Sequence, residues 1–193
     1  MASGTRERIV RAGLELFLRS GFAHVGLDQV VKQAGLTKTT FYNHFESKEE
    51  LVRAVITARE IEVTRSLSEA VARRADAPAR ERLLAVVDAF DESFREDTTG
   101  RCLLLSAVVE FPNTQDPTNQ LATTYREARC DFLRSIAHAA GIQDTEAFVA
   151  RFTILIDGAT ISWQVDRRHD AAQQARPCVA QLVDSFLNGA TSS

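Results

Sequence analysis

Apolar residues recur at the period of an α-helix along nearly the whole of this 193-residue chain. The first such stripe contains Ile9, Leu16 and Phe17, and the last one begins at Val179. Alternating apolar and polar positions joined by tight turns, which are typical of paired strands, are not found. Prolines fall between the helical stripes, and Pro177 is expected to open the final helix. The pattern predicts an all-α fold of about nine helices.

Two short helical segments near the N-terminus are separated by a turn that contains glycine. A first helix over residues 5–20 is followed by one over 27–33, the turn Ala34-Gly35-Leu36, and a short helix after Thr37. This arrangement predicts a helix-turn-helix, whose second helix fits the roughly 12 Å wide major groove of B-DNA.

Residues of this segment divide into an inward apolar set and an outward polar set. The inward set, which can hold the helices together, is Val30, Ala34, Leu36, Phe41 and Phe45. The outward set is Lys38, Thr39, Thr40, Tyr42, Asn43, His44 and Lys48. Hydroxyls, an amide and cations without a carboxylate suit both phosphate oxygens and base edges.

The charge distribution also favours a nucleic-acid partner for the N-terminal part. Residues 1–48 carry 7 basic and 4 acidic side chains, whereas the remaining residues carry 16 and 22. A mildly basic segment attached to an acidic one indicates that the first segment meets an anionic partner.

Over residues 5–56 the chain resembles the TetR family of transcriptional regulators. The resemblance includes the pair Gly21-Phe22, the turn at residues 34–36, the run of residues 37–45, and Ser47-Lys48. It implies a three-helix DNA-binding domain over residues 1–50, leading into a long fourth helix. Residues 51–193 would form a larger helical domain for effector binding and dimerisation.

The resemblance also implies roles for the outward residues. Tyr42, His44 and Lys48 are expected on the phosphate backbone, joined by Thr37. The expected base-edge contacts come from Lys38, Thr39, Thr40 and Asn43. An alternative for Tyr42 and His44 is that they only cover the junction between helices.

The chain departs from the family pattern at three positions. Family members usually carry Thr and Ser or Thr where this chain has Val25 and Gly26. Gly26 still permits a helix cap, but a phosphate contact is expected to be lost there. Thr39 stands where the family often has Gly, which suggests a base-reading choice.

The C-terminal part is expected to bind a small-molecule effector and to form a homodimer through its last two helices, again as the resemblance implies. Residues 152–165 are apolar nearly all round a helix, and close approach across a dimer would explain Gly158 within it. The candidate ligand-binding residues are Phe90, Phe94, Cys102, Ser106, Glu110, Tyr125, Phe152, Asp157 and Trp163. Aromatic walls with a few polar groups describe a small-molecule cavity, and they equally describe an ordinary helical core.

Several other classes of protein are not supported by the sequence. No apolar run approaches the roughly 20 residues of a membrane span, and no secretory signal is recognised. Three cysteines without close pairing favour a reducing cytoplasm, and the four histidines lack metal-site spacing. No catalytic motif or cofactor fingerprint is found, so an enzyme and a bound cofactor are not predicted.

The sequence therefore predicts a cytoplasmic, ligand-responsive regulator, most often a repressor. It would bind a palindromic double-stranded DNA operator as a homodimer and be released by a small molecule, without contact to a membrane. Two alternatives remain at this point: a helical small-molecule carrier or adaptor without sequence-specific DNA binding, and a DNA-binding protein without an effector.

Overall fold

A computed structural model describes residues 2–97 and 99–189 of the chain. The described residues form nine α-helices and no strand, which confirms the predicted all-α fold. The helices are α1 Ala2–Ser20, α2 Leu27–Gln33, α3 Lys38–Tyr42, α4 Lys48–Ala72, α5 Ala79–Glu96, α6 Leu103–Glu110, α7 Pro117–Ala139, α8 Thr145–Asp166 and α9 Ala171–Gly189. None of these helices is long and apolar enough to cross a membrane.

Helix ends lie where local side chains satisfy the free backbone groups. Ser47 caps α4 by accepting a hydrogen bond from the Glu50 amide at 3.1 Å. Asp144 caps α8 in the same way, through the Ala147 amide at 3.0 Å. Gly21 follows α1 with φ +77°, a left-handed conformation that glycine adopts without steric cost.

The prediction that Pro177 opens the last helix is wrong. Helix α9 begins six residues earlier, at Ala171, and Pro177 lies inside it. Residues 171–176 contain three alanines and two glutamines, which favour a helix strongly enough to continue it through the proline.

Backbone contacts divide the chain into two compact units. The first, here called the head unit, comprises the described residues up to Glu62 together with 101–126. The second, the body unit, comprises the described residues of 63–100 and those from Glu127 onward. The boundaries therefore fall within α4 and α7. They differ in position from the functional division predicted at residue 50, which remains a prediction.

The core of the head unit is aromatic. Phe17, Phe22, Phe41 and Phe45 are each at most 1% exposed and belong to one buried cluster with the start of α4. Leu103, Leu104 and Ala107 of α6 and Ala122 of α7 belong to the same cluster. Helix α6 thus shares a core with the helix-turn-helix, so its position and that of the head helices are mechanically linked.

In the body unit α9 packs against both α5 and α8. Phe148 and Phe152 of α8 and Val183 of α9 are buried. The Asp88 carboxylate on α5 binds two guanidinium groups, those of Arg74 and Arg176, each at 2.9 Å. Charged groups thus join helix α9 and the turn after α4 to α5.

Candidate nucleic-acid interface

Helix α3 is a short helix that is held from one side only. Phe41 is fully buried, and its ring stacks on that of Phe45 with centroids 5.5 Å apart. Thr37 caps the helix, since its hydroxyl accepts a hydrogen bond from the Thr40 amide at 3.2 Å. The two threonine hydroxyls also lie 2.9 Å apart. The buried phenylalanines fix which face of α3 points outward.

The eight residues predicted to contact DNA lie on α3, on its cap, on the turn after it, and at the first position of α4. Thr37, Lys38, Thr39, Tyr42 and Asn43 are exposed, while Thr40, His44 and Lys48 are half-buried. The structure therefore collects these side chains on one short stretch of the head unit. Their individual roles on DNA stay predictions.

Tyr42 is the large aromatic residue of this surface. Its side chain is 56% exposed, and the edge of its ring meets Phe41 at a centroid distance of 5.5 Å. An exposed aromatic ring held in one orientation by a buried neighbour is well placed to bring its hydroxyl to an external partner.

An ion pair on this surface was missed by the sequence prediction. The Lys38 ammonium group lies 2.7 Å from the Asp28 carboxylate, which belongs to the first turn of α2. This hydrogen bond, with the charge of Asp28, raises the pKa of Lys38 above its ordinary value. The prediction described the outward face of residues 37–44 as free of carboxylates, and Asp28 lies outside that stretch. The predicted helix-turn-helix brings the start of α2 near the start of α3. This motif could therefore have indicated that Asp28 belongs to the same surface.

Gly26 lacks the hydroxyl that family members usually have before α2, and a neighbouring side chain binds the backbone there instead. Gly26 precedes α2 in an extended conformation, and its amide donates to the Gln29 side-chain oxygen at 2.7 Å. Helix α2 therefore begins properly without the hydroxyl that the family usually supplies.

Two side chains, one on α6 and one just before it, attach this segment to the end of α1 and the residues after it. The Glu110 carboxylate accepts hydrogen bonds from the amides of Phe22 at 3.2 Å and Ala23 at 2.6 Å, just after α1. The Arg101 guanidinium group donates to the Leu18 carbonyl at 3.2 Å. Glu110 thus has a structural partner within the head unit, and the ligand contact predicted for it stays a prediction.

Comparison with known proteins supports this assignment of the N-terminal domain. The family model described as bacterial regulatory proteins of the tetR family matches residues 9–55. The HTH-type transcriptional regulator SrpR of Pseudomonas putida is 41% identical over 59 residues, which are 31% of this chain and 28% of that protein. The HTH-type transcriptional activator FasR of Mycolicibacterium smegmatis is 31% identical over 99 residues, 51% of this chain and 44% of that protein.

The N-terminal domain of the chain, residues 9–55, belongs to the TetR family. Both relatives carry names of transcriptional regulators and neither carries that of an enzyme, in agreement with the prediction. The matched segment spans less than half the length of either relative, so the similarity concerns mainly the DNA-binding domain.

The TetR fold extends through the rest of the chain. The crystal structure of SCO4454, a TetR-family regulator from Streptomyces coelicolor, superposes with a TM-score of 0.82. The superposition covers 98% of this chain and 97% of that one at 22% sequence identity. This likeness establishes the fold of the C-terminal part.

The candidate ligand-binding residues are divided between the two units. In the head unit, Cys102 precedes α6, and Tyr125 of α7 packs with Cys102 against the head core. Ser106 is buried in α6, and its hydroxyl lacks a hydrogen-bond partner. An unpaired buried hydroxyl is costly unless something satisfies it.

In the body unit, three of the candidates come together. The rings of Phe94 and Trp163 stack with centroids 4.7 Å apart, and Phe90 lies 6.0 Å from Phe94. The Trp163 indole N–H donates to the Phe94 carbonyl at 3.2 Å. Phe152 packs on Phe148 elsewhere on α8, and Asp157 is half-buried. The described residues include no group of three His, Cys, Asp or Glu side chains that could hold a metal ion.

Proposed function

We propose that this chain is a ligand-responsive transcriptional regulator of the repressor type, which binds a palindromic operator as a homodimer and is released by a small molecule. The observation that carries the proposal is the outward face of α3 and the turn after it. There, hydroxyl, amide and cationic groups stand on a helix fixed by the buried Phe41. Major-groove readout needs such groups on a rigid helix.

Contacts to the DNA backbone are assigned to Tyr42, His44 and Lys48, with Thr37 beside them. Contacts to base edges are assigned to Lys38, Thr39, Thr40 and Asn43. The positions of these residues along α3 support this division of roles, because residues at the start of a recognition helix contact base edges in other helix-turn-helix proteins. Asparagine pairs with adenine and lysine with guanine in the major groove.

Dimerisation is assigned to α8 and α9. On α8 the residues Ile154, Ile161 and Val165 are 68%, 44% and 68% exposed, and Gly158 lies among them at helical spacing. The opposite face of α8, which carries Phe152, is buried within the chain. An exposed apolar face on a long helix is typical of a subunit interface. A two-fold axis there would present two recognition helices to half-sites about 34 Å apart.

Effector release is assigned to movement of α6 and α4. Helix α6 shares a core with the helix-turn-helix, and its Glu110 holds the backbone after α1. An effector that prefers one position of α6 would shift the DNA-binding helices with it, and operator would weaken effector binding by the same factor. Ser106, buried and unpaired on α6, is the polar group best suited to meet such an effector.

The proposal is tested by selecting binding sites from random duplex DNA at two salt concentrations. We expect enrichment of a two-fold-symmetric sequence, and loss of that enrichment in a Tyr42→Ala/Lys48→Ala variant. Arg65→Ala, which removes a 69% exposed cation from α4, controls for charge and should still select the sequence. Weak binding that fades steeply with salt, with no sequence enriched, would contradict the proposal and favour a small-molecule carrier or adaptor.

A further inference from the structure

The exposed ion pair between Asp28 and Lys38 places a carboxylate on a surface that otherwise suits an anion. Asp28 has 75% of its side chain exposed and Lys38 has 60%, so burial does not hold the pair together. Exposed ion pairs contribute little to folding stability, and a carboxylate facing DNA opposes binding to phosphate. Asp28 stands in the first turn of α2, where a carboxylate interacts favourably with the helix dipole, but that interaction does not require the contact with Lys38.

The distance between the two groups limits what Lys38 can bind. The Lys38 ammonium nitrogen lies 2.7 Å from the Asp28 oxygen, so an atom that contacts one group is near the other. A phosphate oxygen beside Lys38 would be repelled by Asp28. A base edge that offers an acceptor and a donor side by side would satisfy both groups.

Both kinds of base pair place an acceptor beside a donor in the major groove, but only G·C gives lysine two adjacent acceptors next to that donor. Guanine presents acceptors at N7 and O6, and its partner cytosine presents the N4 amino donor beside them. Lysine binds guanine O6 and N7, while aspartate accepts from cytosine N4. Lys38 is the first residue of α3, where recognition helices meet bases.

We infer that Asp28 and Lys38 act together as the reader of one G·C base pair in each operator half-site, with Asp28 as a specificity-determining residue. The inference rests on the proposed DNA-binding function and adds to it a residue of α2 and a base identity. Asp28 would lower affinity for DNA in general while raising the preference for the correct site.

The test measures base preference at each position of the selected operator. Fluorescence anisotropy titrations compare symmetric operators in which one base pair is replaced in both half-sites. For the wild-type protein, replacing one particular G·C pair should weaken binding at least about tenfold. Asp28→Ala should reduce that penalty to less than about threefold while penalties at other positions persist. Lys38→Ala should affect the same position, and the double variant should add little to either single change.

Glu92→Ala is the matched control, because it also removes one exposed carboxylate from an ion pair, here with Arg73 just after α4. It should leave every base preference unchanged. Stronger binding of Asp28→Ala to all sequences by one common factor, with preferences intact, would overturn the inference and make Asp28 a repulsive charge only. If the wild-type protein selects no sequence, the proposed function itself fails, which is a distinct result.

Discussion

At the scale of single residues, two parts of Tyr42 have different expected roles. Its ring packs within the fold, and its hydroxyl is expected to bind DNA. Its ring touches Phe41, but its hydroxyl belongs to the exposed part of the side chain. Tyr42→Phe should weaken operator binding by about tenfold or more, because a hydrogen bond to a charged phosphate is worth roughly 1.5–3 kcal/mol. The effect should be similar for all DNA sequences, because a phosphate contact carries no base information. Anisotropy titrations with operator and with unrelated DNA measure it.

Tyr125 provides the matched control, because it is the other of the chain's two tyrosines. It packs half-buried against the head core on α7, away from α3. Tyr125→Phe should leave DNA affinity unchanged. Equal affinities for wild type and Tyr42→Phe would contradict the assignment of Tyr42 to the backbone.

Substitution of Glu110 tests, also at the scale of one residue, whether its hydrogen bonds hold α6 to the backbone after α1. Its carboxylate accepts from the amides of Phe22 and Ala23, and Glu110→Ala leaves both without this acceptor. The free energy of unfolding should fall by about 1–3 kcal/mol, the usual value for hydrogen bonds to a charged group. Glu110→Gln retains one acceptor oxygen and should fall between wild type and alanine.

Chemical denaturation of the wild type, Glu110→Gln and Glu110→Ala measures whether their free energies of unfolding fall in this order. Glu127→Ala, which removes an exposed carboxylate from α7, should change the free energy of unfolding by less than about 0.5 kcal/mol. If Glu110→Ala were as stable as Glu127→Ala, the Glu110 contact would have no part in holding α6 to the head.

At the scale of elements, Pro177 places a strained position inside α9. Proline lacks the amide that the helix uses and is about 3 kcal/mol less favourable than alanine in a helix interior. It also restricts the unfolded chain by roughly 0.4–1 kcal/mol. Pro177→Ala should therefore raise the free energy of unfolding by about 2–2.6 kcal/mol, as measured by denaturant titration.

The same substitution at the start of a helix is the control. Pro117 is the first residue of α7, where the missing amide has no partner in any case. Pro117→Ala should be neutral or slightly destabilising. An equal effect at both positions would contradict the placement of Pro177 inside a continuous helix.

Elements with strong local signals were predictable from the sequence, and elements set by packing were not. Ser47, Asp144 and Gly21 mark helix ends through local hydrogen bonding or backbone conformation, which are signals that residue types alone carry. Pro177 was misassigned because the helix formers before it outweigh its local preference.

Contacts between helices that are separated along the sequence were not predicted either. Glu110 lies 88 residues from Phe22, and no periodicity connects them. Asp28 and Lys38 become neighbours only through the turn between α2 and α3. The DNA-binding surface was predictable in outline because its residues are consecutive. Its charge balance depended on a residue outside that stretch.

At the scale of the whole molecule, the exposed face of α8 makes Gly158 a probe of assembly. A Cβ added to Gly158 would meet nothing within 4 Å in its own chain. Gly158→Ala should therefore favour helix formation in one protomer by about 1 kcal/mol. If two α8 helices approach closely at Gly158, the added methyl group separates them. We expect the dimer dissociation constant to rise at least about tenfold, although each protomer gains helix propensity.

Sedimentation measurements over a range of concentrations determine that constant. Gly4→Ala is the control, because Gly4 also lies in a helix with open space around its missing Cβ. It should leave dimerisation unchanged. Ile161→Glu, which puts a charge on the same face of α8, should also dissociate the dimer. Dissociation by Ile161→Glu but not by Gly158→Ala would keep the interface on α8 and exclude close backbone approach at Gly158. If neither variant dissociates the protein, the apolar face of α8 is not the dimer interface, and the spacing of the two recognition helices must be set by another surface.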